Sequence, residues 1–173
     1  IQAPLLPRLA PFRIQNLTTG QAQLLNIRPF GNGIRVLEPG GCIWTKAIDW
    51  FAPSDSFANC SASKNWKSAT AKVRRTRSLF PMTVGARGAY HRQAVSATNK
   101  VSERQTECRV RDAVEVVLPS GEAVPAYVVR CDDGRVRRTT WFAPGIGPVA
   151  YREVHKKRGL RDAWVRMSLA RGA

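Results

Sequence analysis

The sequence predicts a mainly β protein: one antiparallel, sheet-rich domain, built as a curved meander, a sandwich or an open barrel. Three observations predict it. Short apolar runs alternate with polar residues almost throughout, punctuated by Gly, Pro, Asn and Asp. No segment holds a 3.6-residue apolar period over a useful length. Four cysteines, Cys42, Cys60, Cys108 and Cys131, come without a C-x-x-C pair and with only two histidines, His91 and His155. That pattern favours two disulfides in an oxidising compartment over a structural zinc site, so no metal and no cofactor is expected. A chain of 173 residues buries about two-thirds of its extended surface, enough for one core.

In chain order, residues 1–11 carry Pro4, Pro7 and Pro11 among Leu and Ala without a period. Each Pro fixes φ and lacks a donor, so this is an extended arm. The β domain runs from 12 to 173, with 12–80 and 81–173 as candidate half-units. Phe12 to Leu17 alternates up to the turn Thr18-Thr19-Gly20, and runs at 21–28 and 33–37 flank Gly31-Asn32-Gly33. Alternation continues over 41–51 and 66–80. The C-terminal third is the best punctuated, with five strands predicted at 104–118, 123–131, 135–143, 149–156 and 161–169. Pro119-Ser120-Gly121-Glu122, Asp133-Gly134 and Pro144-Gly145 turn the chain between them. A short helix competes with strand only over Leu160 to Leu169.

The cysteine pairing follows from hairpin register. If Leu118 faces Gly121, partner numbers sum to 239, which sets Cys108 opposite Cys131. On this reading Cys108, Val110, Val114 and Val116 share one parity. Cys42 and Cys60 then close the loop carrying Trp44, Trp50 and Phe57. Trp50-Phe51-Ala52-Pro53 recurs as Trp141-Phe142-Ala143-Pro144, 91 residues later. A duplicated half-domain and convergent strand-end chemistry explain the repeat equally well.

Thr139 to Val149, reading TTWFAPGIGPV, follows Val117-Leu118-Pro119-Ser120-Gly121-Glu122. With the opening Leu79-Phe80-Pro81-Met82-Thr83-Val84-Gly85, this stretch resembles exported β-rich bacterial proteins carrying a W-[FY]-A-P-G-[IV]-G-x-V strand. The resemblance covers roughly residues 79–156. It departs at Ser120 and Glu122, where that group has Ala and Thr or Ser. It implies export and a curved antiparallel sheet, and it implies no shared catalytic residues. The first residue, Ile1, fits a processed chain equally.

The formal charge is +16, carried by 21 Arg and 7 Lys against 12 acids. Residues 72–173 hold +12 of it. Such a field attracts anionic partners and repels copies of the chain. The predicted anion-binding residues are Lys72, Arg74, Arg75 and Arg77, with Arg135, Arg137, Arg138, Lys156, Lys157 and Arg158. Strand parity sets several of them on an outer sheet face.

Catalytic patterns fare worse. No G-x-S-x-G, P-loop or dinucleotide fingerprint occurs. Glu38, Asp49, Asp55 and Glu153 could in principle pair for glycoside cleavage, but among 28 bases they read as ion-pair partners. Asp132-Asp133-Gly134 reads as a turn and not a calcium loop. The expected role is therefore a non-enzymatic, exported binding or structural component of a cell-envelope or cell-surface assembly. Its expected partner is an acidic protein neighbour or an anionic envelope polymer. A nucleic-acid-binding or virion-associated protein is the alternative, and an enzyme with an unrecognised site the third.

Overall fold

Alternating sequence becomes strand where turn residues bracket it, and twelve strands result among the described residues. The computed structural model describes residues 11–60 and 64–169. The predicted N-terminal arm therefore lies outside the described residues, apart from Pro11. The strands are β1 Phe12–Asn16, β2 Ala22–Phe30, β3 Gly33–Leu37, β4 Ile43–Ala47, β5 Ser56–Ala58 and β6 Ala69–Arg77. They continue as β7 Arg87–Ser96, β8 Val101–Val117, β9 Ala123–Asp132, β10 Val136–Ala143, β11 Gly147–His155 and β12 Gly159–Arg166.

Each strand pairs antiparallel with the next, and β1 pairs with β12, so the meander closes into a barrel. Closure leaves no edge strand to be covered. The sheet is thus a closed barrel, where the sequence allowed a meander, a sandwich or an open barrel. Residues 159–166 are strand, which settles the competition with a short helix. Two strands escaped the sequence reading. β5 has only three residues, and β7 is separated from β8 by a turn with neither Gly nor Pro. Asn99 provides the positive φ of that turn, at 61°, an Asx role that the sequence offered only as Thr98-Asn99.

The predicted strand over 41–51 is shorter than expected. It ends at Ala47, and the chain then folds into the barrel as a plug. Trp50, Phe51 and Ala52 are buried there beside Leu79 and Phe80 of the β6–β7 connection. Phe51 meets Phe80 at 6.3 Å and Phe142 at 5.2 Å between ring centroids. The two Trp-Phe-Ala-Pro copies therefore touch through their phenylalanines. The first copy lies just beyond β4 and the second forms the end of β10, the fourth strand of each half. Gly88 makes room for the second plug segment, because a Cβ there would lie 3.0 Å from the Leu79 Cβ. Gly88→Ala is expected to cost about 1–3 kcal/mol in urea unfolding; unchanged stability would show that the 79–80 segment yields freely.

Both disulfides form as the spacing argued, Cys42–Cys60 and Cys108–Cys131. The register behind the second is not the simple one. Near the turn Val114 pairs with Ala126 and Val116 with Val124, one residue out from the expected register. A bulge at Arg111, between Val110 and Asp112, restores Cys108 opposite Cys131. The bulge also overturns the shared parity of Cys108, Val110, Val114 and Val116. Cys108 and Val110 face the interior core, whereas Val124 and Ala126, opposite Val116 and Val114, join a second cluster with Leu118, Ala143 and Val149. Trp141, Val165 and Leu169 pack on that outer cluster.

The interior core is mostly apolar, with a few buried polar and charged groups, and the outward positions carry Arg13, Arg28, Arg74, Arg109, Arg137 and Arg152. Transmembrane barrels show the reverse order, with an apolar band facing out. No helix among the described residues is long and apolar enough to cross a membrane.

Candidate anion-binding face

Parity and register decide which basic side chains of the strands face outward and which face the interior. Tyr90, Cys108, Val110, Val129 and Cys131 are buried in the core. Residues alternating with them point outward. Arg87 lies opposite Arg109, and Arg109 opposite Arg130. The same line continues through Thr139, opposite Arg130, to Arg152, opposite Thr139. Four arginines thus stand in one row across β7, β8, β9 and β11, with a threonine at β10. Neighbouring strands lie about 4.8 Å apart, so the row spans roughly 19 Å along the sheet. Arg111, on the bulge, is exposed beside it.

Like charges directly opposite one another oppose sheet pairing, and the acids in the adjoining line, Glu107 and Asp132, form no ion pair with them. None of the four row arginines makes an ion pair or side-chain hydrogen bond among the described residues, while five other Arg and Lys side chains do form ion pairs. The Nε of Arg130 is buried with no partner. An unmet guanidinium donor costs on the order of 1–3 kcal/mol.

The predicted anion-binding residues divide between several places. Lys72 and Arg74 face outward on β6, and Arg77 does so after a bulge at Thr76. The Lys72 line meets Glu103 through Gln93, and Glu103 already holds His91 Nε2, opposite Arg74, at 2.8 Å. Arg75 has the inner parity and approaches the Asp49 carboxylate at 3.9 Å. Arg137 and Lys156 both sit on Asp132, at 3.4 and 3.0 Å. Arg138 faces inward, with Glu153 at 3.0 Å and Asp133 at 3.5 Å. Arg135, Lys157 and Arg158 are exposed at the rim around His155. There desolvation and these cations hold the imidazole below its ordinary pKa.

Interior charges form two networks. At the plugged end, Asp49 accepts from the Tyr90 hydroxyl at 2.6 Å and from the Phe51 amide at 3.0 Å. Lys46 Nζ donates to the carbonyls of Trp50 and Ala52 and lies over the Trp50 ring at 4.4 Å. Burial, partly offset by Asp49, pulls its pKa down to about 7. At the other end, burial opposes the charge of Arg138, but Tyr151, Glu153 and Asp133 together hold it more firmly protonated. Glu38, Asp162 and Glu153 crowd one another there. Burial raises Glu38, the Trp44 indole donating to it works against that, and Asp162 and Glu153 add to it.

Glu38, Asp49 and Glu153, weighed in the sequence as catalytic carboxylates, are thus committed to tryptophan, tyrosine or arginine partners. His155 Nδ1 accepts from the amides of Lys157 and Arg158. No group of three metal-ligating side chains occurs among the described residues.

No family model matches the chain, and no curated protein matches it in sequence. Among solved structures, a protein from Bacteroides fragilis described as exported, with a YmcC-like fold, is similar at 13% identity and a TM-score of 0.43. The match covers 96% of this chain and 98% of that one.

All four row arginines, Arg87, Arg109, Arg130 and Arg152, lie outside the residues predicted from the sequence to bind anions. A signal for two of them existed. The register that pairs Cys108 with Cys131 also pairs Arg109 with Arg130.

Proposed function

We propose that the protein is a non-enzymatic binding component, exported to an oxidising compartment, that docks an anionic partner on its outer barrel wall. The observation that carries this reading is the uncompensated arginine row. Other exposed bases, Lys72, Arg74 and Arg77 among them, also lack an ion pair, but the row gathers four unpaired arginines of this +16 chain into one line across the sheet. Two disulfides support the compartment, since such bridges persist where thiols are not kept reduced. The resemblance over residues 79–156 to exported β-rich bacterial proteins points the same way. Interior acids and bases, by contrast, serve one another.

The test is binding to a polyanion-coated surface across a salt series. Affinity is expected to fall steeply between 50 and 300 mM salt, as the Debye length shrinks through about 10 Å. Retention that ignores salt would overturn the reading, because it would place the energy in apolar contacts.

A further inference from the structure

We infer that the partner is a linear acidic polysaccharide, laid across the strands along Arg87, Arg109, Arg130 and Arg152; this rests on the docking role proposed above. The row's direction comes first. Its charges repeat at the strand spacing and run perpendicular to the strands. Only a partner presenting anions along one line can engage all four together. Each guanidinium offers a planar fork that suits a carboxylate or sulfate bidentately.

Width then selects among polyanions. On one side of the row, Glu107 and Asp132 stand directly opposite each other. A nucleic-acid duplex or a broad acidic protein face would set its own charges against that pair. A single thin chain would not. On the other side the next line starts at exposed Asp112 on β8 and turns apolar from β9 onward, through Val128, Trp141 and Ala150. Trp141 is half-buried among the outer apolar cluster. That strip suits the C–H face of a sugar ring, whose back is apolar while its edge carries the acid. Single-stranded nucleic acid would instead call for successive aromatic faces, one per stacked base, and Trp141 is the one aromatic ring this line offers.

The row's length gives the test. Galacturonate oligomers of two to ten sugars are titrated by calorimetry at low salt, with oligo-dT and polyglutamate of matched charge as comparison polymers. Affinity is expected to rise with oligomer length until the chain spans Arg87 to Arg152, and then to level. Arg152→Gln and Arg87→Gln should each weaken the longest oligomer roughly threefold. Arg152→Gln should leave the shortest oligomer unaffected, since that one can sit on Arg109 and Arg130. Oligo-dT and polyglutamate should bind at least tenfold more weakly than the longest uronate. Equal binding of all three polymers would overturn the polysaccharide while leaving the docking role standing. Binding of none would overturn the docking role itself. Affinity that grows with charge alone, unaffected by either variant, would remove the row as the site.

Discussion

Raising the pH from 7 towards 9 is expected to make the folded barrel more stable, through one buried amine. Lys46 lies among Trp44, Trp50 and the plug carbonyls, 7% exposed, with a pKa of about 7 against an ordinary 10.5. Between those values the unfolded chain holds a proton that the folded chain has released. Stability therefore rises with pH across that window. Below pH 7 both states are protonated and the cost of burying the charge is constant. The whole effect is on the order of 5 kcal/mol. The Tyr90 phenol sets the upper limit. Burial, and then Asp49, push it up, so its contribution is present below the ordinary tyrosine pKa and is lost above it. Urea unfolding at pH 6, 7, 8 and 9 reads the slope. Lys46→Met should flatten it while keeping the barrel folded, and an equal slope in both proteins would show that Lys46 is solvated or always charged.

Much of this barrel was readable from its punctuation. The hairpins around Asp133-Gly134 and Pro119 to Glu122 formed because turn chemistry and alternation agreed there. Cys108 and Cys131 met because a bulge at Arg111 offset a one-residue difference at the turn. Closure was not readable, since nothing local in β1 announces β12 as its partner. The plug was not readable either. Trp50 and Phe51 sit where an alternating strand would continue, and only three-dimensional packing against Phe80 and Phe142 draws them inward.

The functional face shows the same division. Charge counting located the excess after residue 71, but strand parity decides which bases are free. Bulges at Thr76 and Arg111 and between Trp141 and Phe142 reset that parity mid-strand. Arg75 and Arg138, adjacent in sequence to outward Arg74 and Arg137, accordingly face interior acids. Arg109 and Arg130, inconspicuous as isolated letters, became neighbours through the register that joins the second disulfide.

Removing the arginine row is expected to cost far more binding than removing as many charges elsewhere. Each exposed contact between an arginine and an anion is worth about 0.7 kcal/mol. Four acting together approach 2.8 kcal/mol, roughly a hundredfold in affinity. The general field of the protein is a separate term, and it depends on net charge alone. Two variants with equal net charge separate the terms. One replaces Arg87, Arg109, Arg130 and Arg152 by Gln, and the other replaces Lys72, Arg74, Arg77 and Lys157. All eight side chains face outward or lie at the rim, so neither set disturbs the core. The decisive measurement is the affinity of both variants for long polygalacturonate at one fixed salt concentration. About a hundredfold loss is expected for the row variant and only a severalfold loss for the other. Equal losses in the two would overturn the arginine row as the site, because the partner would then be responding to total charge and not to a shaped line of arginines.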